Sequence, residues 1–152
     1  MAKFSKSNLN LFLALKLPSA FFSGIRVVSI SDHKATARVK HRWINQNPFK
    51  SLYWATQGMA AELVTGLLMM KKIKDSNLKI SMLVVHQSGN FTKKATGKIT
   101  FSCNEGAQID EAILLAVQSG EGQTLILTAA GTDEENELVS NFEFTWSIKL
   151  KQ

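Results

Sequence analysis

The sequence holds little cysteine, little proline and no long apolar run, and each shortage closes off a class of protein. Cys103 is the sole cysteine among 152 residues. One thiol cannot build an internal disulfide framework or a zinc finger, and so low a content points to an intracellular, cytoplasmic protein. Only Pro18 and Pro48 are present, and neither repeats nor low-complexity tracts occur. The most apolar stretch, Leu52 to Met70, contains Gln57, Glu62 and two threonines, so no membrane span is expected. Charge of one sign is in modest excess: 18 Lys and Arg against 12 Asp and Glu give +6. The cations are scattered and a single tyrosine is available for stacking, so nucleic acid is not an expected partner. His33, His41 and His86 are far apart and show no metal-ligand spacing, so no metal is expected.

What is present is a chain of average globular make-up, 45% hydrophobic and 20% charged, with material for one domain over residues 1–152. The first residues combine lysines and a short apolar patch in the manner of a signal peptide. Asn10 and Lys16 interrupt that patch, and Leu9, Phe12, Leu13 and Leu17 fall at helical spacing. The segment 1–18 is therefore read as an amphipathic helix over 6–17, capped by Ser7 and closed by Pro18. Residues 21–31 and 35–42 read as two strands of a hairpin around Asp32-His33-Lys34.

A polar loop, Asn45 to Ser51, precedes the longest helical candidate, 51–72, with Ser51 as a plausible N-cap. This helix is apolar nearly all round, and such a helix is buried on every face. Strands follow over 79–85, 94–103, 124–130 and 138–150, with a turn or bulge at Gly89-Asn90, a helix over 109–118 and an acidic turn at 133–136. The order specifies an α+β fold in which an antiparallel sheet wraps one helix.

Two motifs carry a family resemblance. The segment Asn47-Pro48-Phe49-Lys50-Ser51-Leu52-Tyr53-Trp54-Ala55, followed by Ala61-Glu62-Leu63-Val64-Thr65-Gly66, resembles hotdog-fold thioesterases of the phenylacetate-pathway type. It is similar also to a family of uncharacterised bacterial thioesterase-like domains. Asn47 fits the Asn that opens the family's loop, and Glu62 fits the acid on its helix. Tyr53-Trp54-Ala55 stands where that family has His-Gly-Gly.

The resemblance implies a hotdog fold, with a long central helix in a curved antiparallel sheet of about five to six strands. It implies a homodimer or dimer of dimers with the acyl site between subunits. The implied activity is hydrolysis of an acyl-coenzyme A or other acyl thioester, with no cofactor beyond the substrate's own coenzyme A. Glu62 would be base or nucleophile, N–H groups near Tyr53, Trp54 and Ala55 would hold the oxyanion, and Asn47 would orient water. Ser51 would act at the helix start, and Lys93 and Lys94, with Lys98, Lys40 and Arg42, would meet the phosphates.

The residues by themselves leave other roles open. Glu62 is the only charged residue between Leu52 and Met70, which means a costly buried carboxylate or one that points outward. Asn47 suits a turn before Pro48, Ser51 a helix cap, Tyr53 packing and the lysines a solvated face. A non-catalytic acyl-, coenzyme A- or lipid-binding protein is the alternative that the missing His-Gly-Gly leaves standing.

Overall fold

The computed structural model describes residues 4–151. Ser5, not Ser7, caps the first helix, α1 (Lys6–Lys16): its hydroxyl accepts from the Asn8 N–H at 3.3 Å. Pro18 ends α1 and at once opens a short second helix, α2 (Pro18–Phe22). The fixed φ of proline suits a first helical position, where no N–H is needed. The strand expected from residue 21 is displaced by that helix and begins later, as β1 (Arg26–Ile30), paired in a hairpin with β2 (Ala35–Lys40).

A single 3-10 turn, Trp43–Asn45, leads into the polar loop and then α3 (Trp54–Asp75). The central helix thus starts and stops three residues later than expected. Ser51 is not its cap. Tyr53 holds that position without a side-chain bond, while the Ser51 hydroxyl is bonded to Asn47 at 2.9 Å. The turn or bulge expected at Gly89-Asn90 does not occur there either: β3 (Ile80–Phe91) runs through it, with Gly89 opposite Phe142 and Asn90 opposite Asn141. The irregularity lies earlier, where a bulge between Val84 and His86 breaks the alternation. Then follow β4 (Lys98–Cys103), shorter than read because Lys94 to Gly97 forms a loop, α4 (Gly106–Ser119), β5 (Gln123–Thr132) and β6 (Leu138–Leu150).

The six strands make one antiparallel sheet in the order β1-β2-β4-β5-β6-β3, which leaves β1 and β3 at the edges. α3 packs against β2, β4, β5 and β6 together, so the sheet curves about the helix. This is the hotdog arrangement. From Ala60 to Met69 every residue of α3 is buried except Glu62. Phe142, Phe144, Trp146 and Ile148 of β6 form the sheet wall facing this core. Two of the polar groups that this packing encloses are bonded to each other. The Trp146 indole N–H donates to Thr65 Oγ1 at 3.1 Å, and that hydroxyl donates to the Glu62 carbonyl at 2.9 Å. No helix among the described residues is long and apolar enough to cross a membrane.

Candidate active site

The loop before α3 is organised by one side chain. Asn47 Oδ1 accepts from the N–H groups of Phe49 (2.9 Å) and Ser51 (3.2 Å), and its Nδ2 donates to Ser51 Oγ (2.9 Å). A short amide that bonds its own backbone a few residues on is the chemistry of a tight turn, and it explains an asparagine before Pro48. Two backbone bonds tether the loop, Leu52 N–H to Ala95 O and Tyr53 N–H to Asn45 O, each at 2.8 Å. α3 then begins with no side-chain cap, so the Trp54 and Ala55 N–H groups have no intrahelical acceptor. They are the positive end of a helix of 22 residues.

These elements enclose a pocket of about 430 Å³. Of the residues singled out from the sequence, Asn47, Ser51, Tyr53, Trp54, Lys93 and Lys94 all line it, while Ala55 does not. Lys93 is not a free cation. Asp133 (2.7 Å) and Glu137 both pair with it, and these bonds hold its ammonium above the ordinary lysine value. Asp133 of the acidic turn and Glu137 just beyond it thus neutralise Lys93. Lys94 donates to the Phe49 carbonyl at 3.3 Å.

Glu62 is elsewhere. Eight residues along α3 from Trp54, at 1.5 Å per residue, put it about 12 Å away. It lies between two small adjoining cavities of about 220 and 230 Å³. Leu17, Leu63, Gly66, Met70 and Trp146 line the first, and α2 closes the second. Lys16 borders both cavities, yet no ion pair to Glu62 forms among the described residues. Burial alone pushes the Glu62 carboxyl above the ordinary glutamate value. A half-buried carboxylate of raised pKa with no cation is poised to take a proton.

Gln57 is a further residue of this site that the sequence motifs do not mark. It is 4% exposed, lines the Asn47 pocket, donates from Nε2 to the Leu52 carbonyl at 3.3 Å, and has no partner for Oε1. A buried acceptor left unpaired is costly, and it stands one turn inside the free helix terminus. Its signal was readable: Gln57 and Glu62 are the only amide and acid in Leu52 to Met70. Phe91, at the end of β3, also lines this pocket and was not anticipated. Cys103 is buried, and burial pushes its thiol up to about 12.

Comparison with known proteins agrees with this architecture. No curated protein matches the sequence. Among solved structures, a Pseudomonas aeruginosa protein described as a probable thioesterase superposes with a TM-score of 0.83 at 20% identity, over 95% of this chain and 96% of its own. A Haemophilus influenzae thioesterase gives 0.75 at 15% identity, over 98% and 93%. A Staphylococcus aureus thioesterase, solved with a glutamine replaced by alanine, gives 0.66 at 15% identity, over 88% and 98%. At these identities the likeness establishes the hotdog fold. The family model of the domain of unknown function DUF4442 matches residues 6–148, nearly the whole sequence, and the chain therefore belongs to that family.

Proposed function

We propose that the protein hydrolyses an acyl-coenzyme A thioester at a site made jointly by two copies of the chain. The observation that carries this reading is Glu62: a carboxylate with raised pKa and no cation, set in apolar walls on the one helix that the fold is built around. The free N–H groups and Glu62 lie too far apart along one helix to touch one reacting carbonyl. A second copy, with its helix start beside Glu62, completes the site. β3 offers the surface for it: a 12-residue edge strand with Leu83 and Val85 exposed. Such an edge pairs readily with another strand.

In the joined site, Glu62 takes a proton from water as the water oxygen attacks the thioester carbon. The Trp54 and Ala55 N–H groups hold the carbonyl oxygen as it becomes an oxyanion. Asn47 and Gln57 fix the water and the substrate amides. When the intermediate collapses, the carbon–sulfur bond breaks, the thiolate takes the proton from Glu62, and the free acid and thiol leave. Attack by the carboxylate itself, giving an anhydride that water then opens, uses the same geometry. The Staphylococcus aureus protein, solved separately with a glutamine and with a glutamate replaced by alanine, adds support. Those two positions have the spacing that Asn47 and Glu62 have here.

One observation favours a second reading, binding without turnover. Trp54 and Tyr53 put two rings, in edge contact at 6.1 Å between centroids, where the related enzymes carry His-Gly-Gly. Release of free thiol from a panel of acyl-coenzyme A esters decides between them, with wild type and Glu62→Gln side by side. Turnover that vanishes in the variant supports the hydrolase. Ligand binding that is equal in both, with no thiol released by either, supports the binder.

A further inference from the structure

The corner where α2 meets the end of β2 gathers cations in excess of acids and apolar side chains without cover. Arg26 stands opposite Arg38 across the β1–β2 ladder, and Lys40 opposite Lys98 across β2–β4. Like charges directly opposite one another weaken a sheet. A carboxylate reaches only Lys98, through Glu134 at 3.6 Å, while Arg26 donates to the carbonyls of Phe21 (2.8 Å) and Ile25 (2.7 Å). Among the described residues no carboxylate lies within ion-pair distance of Arg26, Arg38, Lys40 or Arg42. Arg42 adds to the concentration. It packs under Gly24, where a Cβ would lie 2.7 Å from its guanidinium, and burial together with Arg42 holds Arg26 below its ordinary value.

The same corner displays apolar groups. Asn45 is buried and donates from Nδ2 to the Ser23 carbonyl (2.8 Å) and the Lys40 carbonyl (2.9 Å). These bonds lock the Trp43–Asn45 turn against the end of α2. Trp43 is 84% exposed, Ile44 58% and, on the adjoining turn, Phe22 70%. Placing such side chains in water on a rigid turn, ringed by unpaired cations, has an energetic cost that a partner surface would remove.

We propose that this corner docks onto an anionic lipid surface. Trp43, Ile44 and Phe22 enter the headgroup–acyl boundary, and Arg38, Lys40 and Arg42 lie at the level of the lipid phosphates. Tryptophan suits that boundary because its ring is apolar and its N–H polar. Guanidinium groups match phosphate with paired donors. A second copy of the chain is a poorer occupant: a two-fold contact would set this cationic patch against itself. A nucleic acid would meet two exposed rings here, Trp43 and Phe22, with the aliphatic Ile44 exposed beside Trp43, a side chain on which bases do not stack.

The test is co-sedimentation of the intact protein with phosphatidylcholine vesicles and with vesicles of equal parts phosphatidylcholine and phosphatidylglycerol. The expected result is binding to the mixed vesicles alone, weakened by salt. Trp43→Ala should lower the affinity about tenfold. Arg38→Gln and Lys40→Gln should lower it about fivefold each. All three positions are exposed, and circular dichroism would verify that each variant is folded. Absence of binding at low ionic strength, equal binding to both vesicles, or wild-type affinity in the three variants would overturn the proposal. So would a change in light-scattering mass on Trp43→Ala, which would make the corner an interface between copies.

Discussion

Gly66 faces Glu62 across one turn of α3, and replacing it with alanine separates the needs of the fold from those of the site. A Cβ there would lie 3.4 and 3.5 Å from two atoms of the Trp146 ring and 3.6 Å from Glu62 Oε1. Those are van der Waals contacts, not clashes. Glycine inside a helix costs about 1 kcal/mol relative to alanine, and the new methyl is buried. Set against slight crowding of Trp146, the net expectation is a gain of about 1 kcal/mol. For a chain of this size that raises the melting temperature by about 2–4 °C. The same methyl enters the small cavity beside the Glu62 carboxylate. If an acyl carbonyl or the attacking water belongs there, displacement of about 1 Å costs turnover on the order of a hundredfold. Thermal melts by circular dichroism, paired with thiol release from acyl-coenzyme A, read both effects. A lower melting temperature would refute the packing reasoning. A higher one with unchanged turnover would refute the assignment of this cavity to the substrate.

Three further outcomes follow from the geometry. Glu62→Gln should cut turnover by at least ~100-fold, the usual worth of a positioned general base. Because burial raises the folded-state pKa above the unfolded one, wild type loses stability as pH climbs from the ordinary carboxylate range through the raised value. Denaturant midpoints should therefore show the Gln variant gaining on wild type across that window and holding its lead above it, while wild-type kcat/KM rises with pH through the same window. Asn47→Ala should destabilise the protein by about 1–3 kcal/mol, since it removes several partly buried bonds that close the loop, and chemical denaturation would measure it. Cys103 is buried, and burial raises its thiol well above the ordinary cysteine value, so the native protein holds it as the unreactive thiol. Thiol-reagent labelling should thus follow the rate of unfolding, and rapid labelling of the native protein would contradict its burial.

Periodicity made the architecture legible because burial is what periodicity reports. A helix apolar on every side implied a wrapper, and the alternation in Leu138 to Leu150 became the inner wall of the sheet, with Phe142, Phe144, Trp146 and Ile148 on one face. Boundaries failed where a few local bonds outweigh pattern. Pro18 was read only as a stop, although its fixed φ also starts a helix. Gly89-Asn90 has the residues of a turn or bulge, yet β6 supplies a register of partners that carries β3 straight through. Ser51 was read as a cap, but Asn47, four residues before it, holds its hydroxyl. Local propensity is a weak competitor against a long ladder or a closed loop.

The candidate site was legible in composition but not in layout. A lone acid in an apolar helix marked Glu62, and its raised pKa follows from the same burial that made it conspicuous. The chain could not say that Asn47, Trp54 and Gln57 would gather at one end of α3 while Glu62 lies about 12 Å along it, because that depends on where the helix begins. The late start at Trp54 matters chemically. With Ser51 capping, a hydroxyl would have occupied the donors at the helix terminus. With Tyr53 in the cap position, those N–H groups stay open, and the Ser51 hydroxyl serves the loop instead. The departure from the expected cap thus leaves those donors free, and under the proposed hydrolysis the length of helix between them and Glu62 calls for a second copy of the chain.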